Sequence, residues 1–317
     1  MTPVVTAAPA APIIAGLTTA ASVAQSFGQL GQAARTALAQ QQGLMRHLLF
    51  SNEPVSALGS QAGGFASAGS AVFGLRGRVA LADGLALQVG LASASEGYAN
   101  ARLNGSIFGA ASLRHTWNQA ARFRPFAEVG GWFAPDASLR FTRTYANGVG
   151  FSTGSARTHG DLSYFFARAG FGYQVTPFDE VGVSGEIGQS HLRINRYSEA
   201  LSAANPFPAD VSGGSNRLAL ATARVQLTHQ FDERIDATVG VGVTQGFASR
   251  TRISGNVVGV GVFNPIAGRN SAWMEYGARV GYRIAPDMRI DIFADGEVGG
   301  AEIGDKVHIG AGFLKQF

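Results

Sequence analysis

The chain has 317 residues, 43 of them Gly, with no Cys, 15% charged residues and a formal charge of +4. This excludes a disulfide framework, a thiolate metal site and a Cys nucleophile, and the lack of any run of 18 apolar residues excludes a bilayer-spanning helix. The basic residues are Arg apart from Lys306 and Lys315 and are scattered singly along the chain, which sets a nucleic-acid partner aside.

Residues 1–16 hold Pro3, Pro9, Pro12 and several Ala and read as an extended linker. No Lys or Arg precedes Arg35, so the basic start of a secretory signal is missing. The expectation is a fragment or an isolated C-terminal domain.

From Thr19 to Phe50 the residues Val23, Phe27, Leu30, Ala34, Leu38, Met45 and Leu48 recur at helical spacing, with Gln and Ala between them. Residues 17–53 are therefore assigned to one helix, too Gln-rich for lipid. A polar pore suits it, while a helix on a membrane surface or in a coiled coil remains open.

From residue 65 onward the period is 2. Phe73, Leu75, Val79 and Leu81 oppose Arg76 and Arg78, and Asp83-Gly84 then turns the chain into Leu85, Leu87, Val89 and Leu91. The same alternation recurs near 104–117, 122–145, 149–176, 180–195, 214–230, 234–252, 271–284, 288–299 and 305–317. Connections alternate between short turns, such as Asn118 to Ala121 and Ala285 to Asp287, and long loops at 196–213 and 253–270. That segregation fits an outer-membrane barrel with short turns in the periplasm. Eleven strands are legible and single-chain barrels have even numbers, so a twelfth is expected at Pro54 to Phe65, turning near Gly63-Gly64. The fold class is all-β: a transmembrane antiparallel up-and-down barrel of about twelve strands over residues 54–317, with the helix threaded through its pore. In the last strand Val307, Ile309, Ala311, Phe313 and Phe317 share one parity, and closing this strand onto the first removes an exposed edge.

Inward parity collects charges of both signs: Arg76, Arg78, Arg114, Arg168, Arg224, Arg250, Arg279, Arg283 and Arg289 with Glu96, Glu128, Glu186, Asp236, Glu275, Asp291, Asp295 and Glu297. Such a ring requires a wet lumen or internal pairing. It reads either as a polar conduit around the helix or as ion pairs that satisfy one another. His115, Trp117 and His229 fall on the outward parity near the short turns, as an interfacial girdle would.

Several stretches resemble one family, the C-terminal translocator β-domain of autotransporters, the type V secretion proteins of Gram-negative bacteria. These are Arg124 to Trp132, Arg143 to Gly148, Tyr197 to Leu201 running into Asn205-Pro-Phe-Pro208, Trp273 to Arg279 and the terminal strand, within residues 17–317. The resemblance implies a twelve-strand barrel, a pore helix and an N-terminal passenger outside the cell. It further implies insertion by the barrel assembly machinery, with periplasmic chaperones, reading Ile309, Phe313 and Phe317. Lys315 departs from the pattern at a lipid-side position, where its amine can snorkel.

Enzymatic signals are weak. Gly240, Gly242 and Gly246 open no helix, and Ser184-Gly185 does not complete a nucleophile elbow, since Glu186 stands where the second Gly belongs. His159, Asp161, His191, Asp305 and His308 could gather near the long-loop rim as a hydrolase. The expected function is a monomeric, non-enzymatic outer-membrane translocator and anchor in contact with lipid, without metal or cofactor. A stand-alone porin-like channel is the alternative, and the rim hydrolase the third reading.

Overall fold

A computed structural model describes residues 18–49, 58–67, 70–98, 100–148, 150–264, 266–267, 270–299 and 305–316. The linker at 1–16, the helix-to-barrel connection at 50–57 and Phe317 lie outside the described residues.

Alternation sorts each strand into two faces. On residues 70–82, Phe73 and Leu75 are 67% and 62% exposed while Val72 and Arg76 are buried. The apolar face is turned outward and the polar face inward, which lipid outside and a filled lumen inside require.

The elements in chain order are α1 (Ala20–Leu49), β1 (Leu58–Ser67), β2 (Ser70–Ala82), β3 (Leu85–Tyr98), β4 (Ala101–Thr116), β5 (Phe123–Asn147), β6 (Gly150–Gln174) and β7 (Asp179–Ile194). There follow β8 (Tyr197–Ser198), β9 (Ala209–Gln230), β10 (Ile235–Val257), β11 (Gly261–Phe263), β12 (Ile266–Ala267), β13 (Ser271–Ala285), β14 (Met288–Gly299) and β15 (Lys306–Gln316). Short strands β8, β11 and β12 decorate the loops. The other twelve pair antiparallel in a closed ring, with β7 meeting β9, β10 meeting β13, and β15 returning to β1. The twelfth strand is thus β1, where the sequence placed it, but its turn is not at Gly63-Gly64. Those glycines sit in mid-strand, and Gly63 is the register partner of both Gly74 and Gly312. Pairing on both sides keeps β1 extended as far as Ser67.

Strands β5 and β6 run 25 residues each, more than twice the ~9–11 needed to cross a bilayer. They project at the long-loop end. Bulges interrupt β5 between Ala134 and Ala137, where Asp136 has φ 51°, and β10 between Phe247 and Arg250. Beyond a one-residue bulge the opposite parity faces the lumen.

Helix α1 begins at a Thr19 cap, whose Oγ1 accepts the Ser22 N–H at 3.1 Å. Inside the barrel it packs against β2 to β5, β7, β9 and β10. Val23, Phe27, Leu30 and Ala34 are buried with Leu139, Phe141, Tyr145, Phe207, Val211, Ile253 and Val257 in the long-loop half of the lumen. Each large apolar side chain so buried contributes about 1.5–3 kcal/mol. A Cβ on Gly255 would stand 2.8 Å from the Phe27 ring, so only glycine lets the helix approach β10 there.

Candidate functional site: a plugged pore and its latch

Two layers fill the lumen. Toward the short turns lie charges. Glu128 is buried between Arg168, at 2.7 Å, and Arg114, at 3.8 Å, while Tyr164 donates to Glu186 at 2.6 Å. Across the barrel Asp236 accepts from Arg289 at 2.7 Å and Arg279 at 3.1 Å, and Arg289 Nε also donates to Asp291 at 2.7 Å. Glu275 takes Arg224, the Thr244 hydroxyl at 2.7 Å and the Trp273 indole N–H at 3.3 Å. Opposite charges from adjacent strands or from strands one apart thus meet on the inner wall. A buried carboxylate without such partners would cost several kcal/mol.

Arg76 and Arg78 share this inner face, Arg76 buried and Arg78 half-buried. Toward the other end, Glu96 is fully buried with Lys306 Nζ at 3.6 Å. Asp295 and Glu297 face inward on β14, and Asp295 is the register partner of the buried His308. Arg283 has the inward parity but sits exposed at the short-turn mouth, donating to the Glu233 carbonyl at 3.1 Å. Arg250 requires a correction: it is exposed on the outer wall between buried Ser249 and Thr251. The bulge after Phe247 exchanges the two faces, so parity counted from the short-turn end fails beyond it.

The second layer is a latch that sequence reasoning missed. Arg143, on β5 beyond its bulge, has no exposed surface. Its Nε and Nη2 reach Glu199 Oε1 and Oε2 at 3.1 and 2.6 Å, Nη2 also donates to the Phe207 carbonyl at 2.7 Å, and Nη1 donates to Ser26 Oγ of the helix at 3.3 Å. Glu199 belongs to the loop between β7 and β9, and it also accepts from Asn205 and from the Ala209 N–H at 2.9 Å. A Cβ on Gly154 would lie 2.2 Å from the Glu199 carboxylate, so glycine makes the room. Tyr145 donates to Asn205 Oδ1 at 2.8 Å and accepts the Phe207 N–H at 3.0 Å. Burial, then the nearby Glu199, pushes the Tyr197 phenol above its ordinary value, which keeps it neutral. One guanidinium therefore joins wall, loop and helix. The available signal was the shared parity of Phe141, Arg143 and Tyr145, whose face is seen to turn inward only once the Asp136 bulge is known.

Ile309 and Phe313 point outward on β15. Trp117 stacks edge-on to His115 and Phe231 to His229 on the outer wall near the short turns. The five rim residues are not brought together: His308 is buried on the inner face, while His159, Asp161 and His191 stand on the outer parity and Asp305 is exposed in a loop. His159 instead meets Asp136 at 3.0 Å, on the exposed outer side. Gly240, Gly242 and Gly246 lie within β10 and open no helix. No cluster of metal-ligating side chains exists among the described residues.

Closed twelve-strand topology, an apolar exterior and a helix-filled lumen define a membrane β-barrel of the outer-membrane type. No family model and no curated protein matches the sequence. Among solved structures, the translocator domain of the autotransporter NalP from Neisseria meningitidis is similar with a TM-score of 0.65 at 12% identity, over 90% of this chain and 97% of that one. The β-domain of the Bordetella autotransporter BrkA matches with a TM-score of 0.50 at 12% identity, over 82% of this chain and 99% of that one. The CymD monoaromatic hydrocarbon channel follows with a TM-score of 0.48 at 12% identity, over 82% and 88%. At such identities the likeness to the two autotransporter domains is one of fold.

Proposed function

We propose that the protein is an outer-membrane translocator domain that anchors an N-terminal segment and presents it at the cell surface. The observation that carries this reading is the direction of the helix. Thr18 Oγ1 and Ser22 Oγ donate to the Ala146 carbonyl at 2.9 and 3.2 Å, at the tip of the β5–β6 hairpin on the long-loop end. The chain after α1 must reach β1, which starts at the short-turn end beside Gln316. The helix thus runs through the barrel with its N-terminus at the long-loop mouth. A channel for small solutes has no need of that path. With short turns in the periplasm, the long-loop mouth is the outside of a Gram-negative cell.

An epitope fused ahead of Met1 tests this directly. It should bind antibody on intact cells and be removed by external protease while the barrel stays intact. An epitope reached only after the outer membrane is opened would put the segment in the periplasm and contradict the proposal.

A further inference from the structure

Arginines that are scattered in the sequence gather on the outer wall. Arg193 on β7, Arg217 on β9, and Arg250 and Arg252 on β10 are all exposed, and each is flanked along its strand by buried neighbours, so each projects outward. Arg217 is the register partner of Arg250, and Ser215 is the register partner of both Arg193 and Arg252. A second group repeats the arrangement on β4 to β6, where Arg140 is the register partner of Arg102 and of Arg157.

Like charges directly opposed across a sheet are destabilising, so the fold gains nothing from this placement. Among the described residues none of Arg193, Arg217, Arg250 and Arg252 forms an ion pair; the nearest carboxylate in register is Asp161, opposite Arg193. Arg196, farther out, is already committed to Asp210 at 2.7 Å. The cluster begins where the apolar exterior ends. Phe247 precedes Arg250 on β10 and Ile187 precedes Arg193 on β7, both exposed on the same outer face. That is head-group height at the long-loop end, and guanidinium forks match phosphate oxygens two by two.

We propose that this outward arginine cluster binds the phosphate groups of the glycolipid that forms the outer leaflet, lipopolysaccharide, and so fixes lipid against β7, β9 and β10. The inference rests on the outer-membrane reading above, with the long loops outside.

The test uses the purified full chain in neutral detergent, titrated with bisphosphoryl lipid A and with its dephosphorylated form and read by native mass spectrometry. Bisphosphoryl lipid A should bind about ten-fold more tightly than the dephosphorylated lipid, a modest sum for several exposed charge pairs. Replacing all four residues (Arg193→Gln, Arg217→Gln, Arg250→Gln and Arg252→Gln) should abolish the preference in protein that keeps its heat-dependent gel mobility. The comparison of the two lipids needs only the unaltered chain, so a variant that fails to fold leaves the test decisive. Equal binding of both lipids would overturn the proposal. Competition by inorganic pyrophosphate or a short oligonucleotide, at the concentration where lipid A binds, would overturn it as well, revealing a general anion surface. Cell fractionation keeps the two readings apart: absence from the outer membrane refutes the location, whereas presence there without a phosphate preference refutes this proposal alone.

Discussion

Arg143 of the barrel wall and Glu199 of the loop above it form a two-pronged ion pair, 3.1 and 2.6 Å long and closed to solvent, and the same guanidinium holds Ser26 of the pore helix. Removing one member of a buried pair strands the other, at about 3–5 kcal/mol. Arg143→Ala or Glu199→Ala should therefore lower the temperature at which the barrel loses its folded gel mobility. The double change Arg143→Met with Glu199→Leu should cost less than either alone. Additive losses would mean that the two side chains act independently.

The charged layer predicts a contrast between two positions. Glu128 is enclosed by Arg114 and Arg168, so Glu128→Gln leaves two guanidiniums facing each other and should cost about 3 kcal/mol in urea unfolding. Arg283 lies exposed at the mouth, and Arg283→Gln should stay within about 0.5 kcal/mol. Similar effects at both sites would show that lumen water screens the ring.

Much of this architecture was legible because lipid forces strict alternation. Phe73, Leu75, Leu91 and Ile292 announce the outer wall in sequence and stand exposed on it. What escaped depends on bulges and on loop folding. The extra residue at Asp136 moves Arg143 inward, and the bulge after Phe247 moves Arg250 outward, with no local signature beyond a single non-glycine residue at positive φ. Glu199 and Asn205 lie in a loop whose return into the lumen is fixed by tertiary partners, which periodicity does not report. The turn of the first hairpin was misplaced because Gly63-Gly64 reads locally as a turn, whereas two neighbouring strands hold it extended.

The helix closes the pore in this account. A twelve-strand barrel is wider than those that side chains alone can fill. Deleting residues 1–49 should raise single-channel conductance in a planar bilayer and lower thermal stability, since Phe263 loses the Phe27 ring stacked on it at 5.6 Å and the core loses the helix side chains buried in it. Unchanged conductance would mean that the wall loops, and not the helix, block the lumen.

The most direct measurement exploits the absence of Cys. A Cβ built on Gly31 of the helix lies 3.8 Å from Thr251 Cβ on the inner face of β10, the separation typical of a disulfide. Gly31→Cys with Thr251→Cys should cross-link on mild oxidation of protein purified from membranes, giving a reducible shift in unreduced gels, while either change alone should not. Quantitative cross-linking would fix the helix inside the barrel wall; failure of the folded double variant to cross-link would place it elsewhere and contradict the threaded pore.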